Sequence, residues 1–148
     1  YDDNGGYGHP DHIQVHRVGV RAAELAGVAV VAQSTMNRDH MVRAFAMAKE
    51  MGVDVPAEMD DELTQEVTEP DFGKPEAELT HSVDASSVID RKRASMMAHA
   101  SQIGADHFML NMPPEAFEFV FGSEWFIIDQ PPGPDAPPIF TELFVPMP

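Results

Sequence analysis

Six residues near the start of the chain, Tyr7-Gly-His-Pro-Asp-His12, bring together the residue types that do chemistry. Two imidazoles and the Asp11 carboxylate flank Pro10, and proline suits the first turn of a helix, where its missing N–H costs nothing. His12 falls inside that turn on a fixed backbone. His9 precedes the proline, which pushes it to an extended conformation from which it can face the same cavity. The chain has no cysteine, so disulfides, thiolate metal sites and cysteine nucleophiles are excluded. Imidazole and carboxylate then remain as metal donors, the set that zinc accepts. A carboxylate beside a histidine also fixes its tautomer and raises its pKa, which makes acid–base work near neutrality available. The cluster reads as metal or acid–base chemistry, or as a polar turn. Tyr7, taken by itself, reads as a tyrosine packed at a turn.

His12 and His16 are four residues apart on one helix face, the spacing of a zincin pair. That signature requires Glu directly after the first histidine, and Ile13 stands there. His16 therefore reads as a residue behind the site or at the core edge. His99 reads as a helix-packing residue, and His40, His81 and His107 have no companion ligands nearby in sequence.

The elements that must position these residues follow from turn signals and periodicity. Residues 1–9 form a glycine-rich loop. A helix over Pro10–Ala26 stops at Gly27, and its apolar positions cover more than half its circumference, so deep burial is expected. The β-branched run Val28–Val31 predicts a buried strand. A helix over Arg38–Met51 follows, with Asn37 as N-cap and Gly52 as stop. Leu79–Asp84 alternates as a strand, Asp84 or Ser86 can cap a helix over Ser87–Ile103, and a shorter helix covers Pro113–Phe121. Trp125–Ile128 predicts a last strand. The aromatic patch of Phe117, Phe119, Phe121, Trp125 and Phe126 reads as the anchor of these C-terminal elements on the sheet, or as an exposed interface. Strands alternating with helices indicate an α/β layer structure.

The 148 residues suit one domain, with 9 Lys and Arg against 25 Asp and Glu and a net charge of −16. Such an acidic balance argues against nucleic-acid or anionic-membrane binding, both of which reward Lys and Arg. No apolar run approaches the ~20 residues a bilayer span needs. Residues 53–78 hold ten of the acidic side chains against Lys74 alone, and read as a solvated loop or an acidic recognition surface. The final 18 residues contain seven prolines and predict an extended tail. The domain is therefore placed at residues 1–130 and the tail at residues 131–148.

The segment Tyr1-Asp-Asp-Asn-Gly-Gly-Tyr-Gly-His-Pro-Asp-His12 resembles the second signature block of the LmbE-like (PIG-L) zinc-dependent deacetylases. This family includes N-acetylglucosaminyl deacetylases and the mycothiol-pathway deacetylase and amidase. Lys92-Arg93, Ala98-His-Ala-Ser-Gln-Ile103 and Phe121-Gly-Ser-Glu-Trp-Phe126 resemble its later motifs, so the likeness covers residues 1–128 and favours the actinobacterial type. The resemblance implies a Rossmann-like, three-layer fold with a mainly parallel sheet. This chain would be its C-terminal part, because the early Ala-His-Pro-Asp-Asp-Glu motif is absent and the chain opens at Tyr1 inside a loop.

By resemblance, His12 is one of three ligands to a single Zn2+, with ferrous iron as the other candidate. His9 stabilises the tetrahedral intermediate or protonates the leaving amine. Asp11 orients and tunes His9, and Tyr7 is a mobile tyrosine that polarises the substrate carbonyl. The implied reaction is hydrolysis of the acetamide of an N-acetylated amino sugar or related conjugate by zinc-activated water. The implied setting is cytoplasmic, and a homo-oligomer stays open. This chain by itself would be inactive. The alternative is a non-catalytic acidic interaction module that retains the His-Pro-Asp-His turn.

Overall fold

The computed structural model describes residues 1–50 and 71–128. After an N-terminal turn (Gly5–Gly8) come helix α1 (Pro10–Ala26), strand β1 (Ala32–Thr35) and helix α2 (Arg38–Glu50). The second segment contains a 3-10 turn (Glu76–Glu78), strand β2 (His81–Asp84) and a second 3-10 turn (Ser86–Val88). Helix α3 (Ile89–Met97), helix α4 (Pro114–Phe121) and strand β3 (Ser123–Ile128) complete it. Most of the acidic stretch and the whole proline-rich tail lie outside the described residues. No described helix is long and apolar enough to cross a membrane.

The sheet has the order β1-β3-β2. Both neighbours of β3 run antiparallel to it, with Thr35 opposite Trp125 and His81 opposite Phe126. These three strands therefore do not form the mainly parallel sheet that the resemblance implied. The mixture of helices and strands is as expected.

Helix α1 has the boundaries the sequence predicts. The His9 ring accepts the Asp11 backbone N–H at its start, and Gly27 closes its end at φ 65°. Its expected burial does not occur: none of its residues is buried, and Val18 and Leu25 are 68% and 73% exposed. The described elements place no layer over its apolar face.

The strand expected at Val28–Val31 begins instead at Ala32. Strand pairing with β3 and the hydrogen bond from Asp2 N–H to the Ser34 carbonyl set its position. A β-branched run without a partner has only weak preference of its own. Helix α2 starts as expected, with the Asn37 side chain accepting the His40 N–H.

The helix expected over Ser87–Ile103 shortens to Ile89–Met97. Asp84 Oδ1 takes the Ser86 N–H in a local turn that delays its start. Beyond Ala98 the chain continues as short turns, such as Gln102 N–H to the His99 carbonyl. Those residues are mostly exposed, and helical stability in proteins comes chiefly from burying a face.

Phe117, 1% exposed, centres a core with Met112 and Ala116, against which Ile89, Met96, Phe108 and Phe121 pack. Lys92 Nζ donates to the Phe121 carbonyl, and Arg93 lies 4.1 Å from the Phe117 ring centroid while donating to the Met112 carbonyl. These two bases thus clamp α3 to the C-terminal elements.

Candidate active site

The N-terminal turn is held from below by Asp2, a fully buried residue. Its N–H donates to the Ser34 carbonyl and its own carbonyl accepts the Gly5 N–H, each at 3.0 Å. Its Oδ1 accepts the Gly6 N–H at 2.8 Å, and its Oδ2 accepts the Thr35 hydroxyl. One side chain therefore ties the turn to the end of β1.

The segment after the acidic stretch closes on the same turn. Tyr7 pairs with Phe72 in an isolated bridge, and the Gly73 N–H donates to the Gly6 carbonyl. Lys74 Nζ lies 2.6 Å from Asp3 Oδ1 and 3.0 Å from Asn4 Oδ1. That ammonium, through its hydrogen bond, holds the Asp3 carboxyl below the usual carboxylate range. Arg38 Nε donates to the Phe72 carbonyl, fixing the segment to α2 as well.

On this platform the four site residues expected from the sequence gather at the start of α1. The His9 and His12 rings lie 4.6 Å apart, centroid to centroid. Tyr7 presents its ring edge-on to both, at 5.9 Å from His9 and 5.2 Å from His12. Asp11 is exposed, and its contact with His9 runs through its backbone N–H rather than its carboxylate.

Hydrogen bonding assigns the ring protons. His12 Nδ1 lies 3.1 Å from the Gly5 carbonyl. A carbonyl can only accept, so Nδ1 carries the proton and Nε2 keeps its lone pair. His9 shows the reverse, since its Nδ1 accepts the Asp11 N–H at 3.2 Å. In neutral His9 the proton is therefore on Nε2. One ring offers a ligand atom and the other a donor.

One neighbour of His12, Tyr1, is not anticipated by the sequence, whereas His16 lies behind the site as its position suggests. Tyr1 stacks on its ring at 4.0 Å with the planes 6° apart. His16 Nδ1 donates to the Tyr1 carbonyl at 3.1 Å, which places it one contact behind His12. The signal for Tyr1 was only its place in the block, because nothing local announces a stack across eleven residues.

The donor chemistry suits zinc in part. Nε2 of His12, with Nδ1 bonded to a main-chain carbonyl, is the arrangement of a metal-binding imidazole. Among the described residues, no group of three or more His, Cys, Asp or Glu could hold a metal ion. His12 alone fits a single donor position of such a site.

The chain is similar to curated 1D-myo-inositol 2-acetamido-2-deoxy-alpha-D-glucopyranoside deacetylases. It is 33% identical to that of Acidothermus cellulolyticus over 86% of this chain and 43% of the relative. For the Streptomyces avermitilis protein the figures are 32%, 97% and 51%. For the Mycobacterium sp. (strain KMS) protein they are 42%, 70% and 32%. The chain thus spans about a third to a half of these relatives. No protein-family profile matches it, and no solved structure does.

Proposed function

We propose, for a chain that belongs to the LmbE-like deacetylases, that the full-length protein is a zinc-dependent N-deacetylase. Its substrate would be an N-acetylated amino sugar, with the acetylglucosaminyl-inositol named for the relatives as the first candidate. Its fold would be Rossmann-like. The observation that carries this reading is the opposed proton placement on two adjacent imidazoles, His9 and His12.

His12 would hold the metal through Nε2. When bound, zinc supplies a Lewis acid for the acetyl carbonyl and lowers the pKa of water. His9 donates from Nε2 while the Asp11 N–H occupies its Nδ1, which suits it to the oxygen of the carbonyl as negative charge develops there. Tyr7, 47% exposed, can bring its hydroxyl to the same oxygen. Its backbone is bonded into the Phe72 segment, so its movement would be a side-chain swing rather than opening of the glycine loop. Asp11 keeps its carboxylate free to influence His9 and fixes the ring through its N–H.

The experiment is metal analysis of the full-length protein with an assay of acetate release from N-acetylglucosaminyl-inositol and N-acetylglucosamine. Bound zinc with release that chelation abolishes and zinc restores supports the proposal. Protein that carries no metal and releases no acetate would favour the non-catalytic acidic module.

A further inference from the structure

The geometry points to Asp2 as the positioning residue of this site: through the Gly6 N–H and the Thr35 hydroxyl it holds the turn whose Gly5 carbonyl selects the Nδ1-protonated form of His12. The inference rests on the proposed role of His12 for its consequence in metal binding, but the link from Asp2 to the His12 tautomer stands on geometry alone.

Three observations carry it. First, Asp2 is fully buried and both of its carboxylate oxygens are used, one on the turn and one on β1. Burial of a carboxylate is costly unless each oxygen is hydrogen-bonded, so these bonds define a single arrangement of turn and strand. Second, Gly5 stands at φ 67°, and a Cβ there would lie 2.8 Å from both His12 Cβ and Ile13 N. The turn therefore abuts the helix directly, and a small displacement of Gly5 is felt at the ring. Third, the Gly5 carbonyl is the hydrogen-bond partner of His12 Nδ1, so its position decides which ring nitrogen keeps the proton. Asp2 touches neither the proposed metal position nor the His12 ring. It acts through Gly5.

Thr35 extends the chain of contacts into the sheet. It is 8% exposed and faces Trp125 across the β1–β3 pair. The route from the sheet to His12 is thus Thr35, Asp2, the turn, and the Gly5 carbonyl.

The test uses the full-length protein freed of metal, held about two units above the ordinary imidazole pKa of about 6.5. Long-range proton–nitrogen NMR correlations then report the His12 tautomer in wild type, Asp2→Asn, Thr35→Val and Thr35→Ser. Thr35→Val keeps the volume and loses the hydroxyl, whereas Thr35→Ser keeps the hydroxyl. Wild type and Thr35→Ser are expected to show Nδ1–H, while Thr35→Val and Asp2→Asn show a mixture of both forms with unchanged far-UV circular dichroism. Zinc titration should then give a Kd raised by the inverse of the Nδ1–H fraction that remains, about twofold for an even mixture, in the two mixed variants and restored in Thr35→Ser. A His12 ring that stays Nδ1-protonated in both Thr35→Val and Asp2→Asn would overturn the inference. If the tautomer responds while the wild type neither binds zinc nor releases acetate, the positioning link holds and the deacetylase reading fails.

Discussion

His9 and His12 sit with ring centroids 4.6 Å apart and carry their neutral-form protons on opposite nitrogens. Pro10 brings this about. It starts α1 so that His9 lies outside the helix and caps it with its own ring, while His12 lies inside and reaches back to the Gly5 carbonyl. Two residues of one type, three positions apart, thereby acquire different chemistry. The division leads to separate expectations for their removal.

In the full-length protein, His12→Ala is expected to lower zinc content to background. His9→Ala should retain the metal and lose about 10²–10⁴-fold in kcat, the usual worth of a positioned donor or oxyanion group. Metal analysis beside steady-state kinetics separates the two effects. Equal loss of zinc in both variants would mean that the rings share one role.

Gly5→Ala tests how tightly the turn is pressed onto α1. The left-handed backbone alone costs a non-glycine residue about 1–2 kcal/mol. The added methyl would also meet Ile13 N at 2.8 Å, and backbone cannot swing aside as a side chain does. We expect lower stability in urea denaturation together with weaker zinc binding. Unchanged zinc affinity would show that His12 does not depend on this turn.

Acid should loosen the junction between the turn, α2 and the segment around Lys74. Lys74 lowers the Asp3 pKa, and Arg43, then Asn37, lower that of Glu76. A carboxyl whose folded pKa is depressed contributes stability above its unfolded pKa and loses it as pH falls through the folded value. The loss should therefore begin below about pH 4, near the ordinary Asp and Glu values. Lys74→Met should be less stable than wild type at neutral pH and converge with it in acid. Both carboxylates are substantially exposed, so the gap should also narrow in high salt. Melting curves across pH for the two proteins provide the check, and a gap that stays constant down to pH ~2 would rule out the ion pair as its source.

Asn37→Ala removes a side chain that is 1% exposed and bonded at both ends, to the His40 N–H and to Glu76 Oε2. Loss of an N-cap costs about 0.5–2 kcal/mol, and the lost bond to a charged group adds to it. A shift in denaturation midpoint is expected, with little change in zinc affinity because Asn37 touches none of the site residues. A variant as stable as wild type would show the cap to be idle.

How much was legible in the sequence depended on how local the determinants were. Helix α1, its proline start and its Gly27 stop are set within a few residues, as is the gathering of Tyr7, His9 and His12. Asp2 could not be told from Asp3 by type or neighbourhood, because what separates them is Thr35, 33 positions away, and Lys74. The β1 boundary moved for the same reason, since β3 chooses it. Sheet direction is likewise a matter of which strands meet, and neither Val28–Val31 nor Trp125–Ile128 encodes that. The late helix is shorter than its residues suggest because Ala98-His-Ala-Ser-Gln is helix-compatible in type but has no face to bury.

The 148-residue chain alone is expected to be weakly stable and to bind zinc poorly. Val15, Val18 and Leu25 on α1 are more than half exposed, as is Val28 beyond it. Fully burying such a side chain is worth about 1.5–3 kcal/mol, so together they withhold an amount comparable with a whole domain's stability of about 5–15 kcal/mol. The described buried apolar core is small, centred on Phe117 with Met112 and Ala116. One Nε2 lone pair from His12 cannot replace a set of three donors with their supporting contacts. Calorimetry should therefore show a broad transition below about 60 °C, and zinc titration an affinity weaker than micromolar. Leu25→Ser should change the stability of this chain by less than about 0.5 kcal/mol, as at any exposed position. A sharp melt above that temperature with submicromolar zinc binding would show that the α1 face needs no further cover and that this chain completes the metal site by itself.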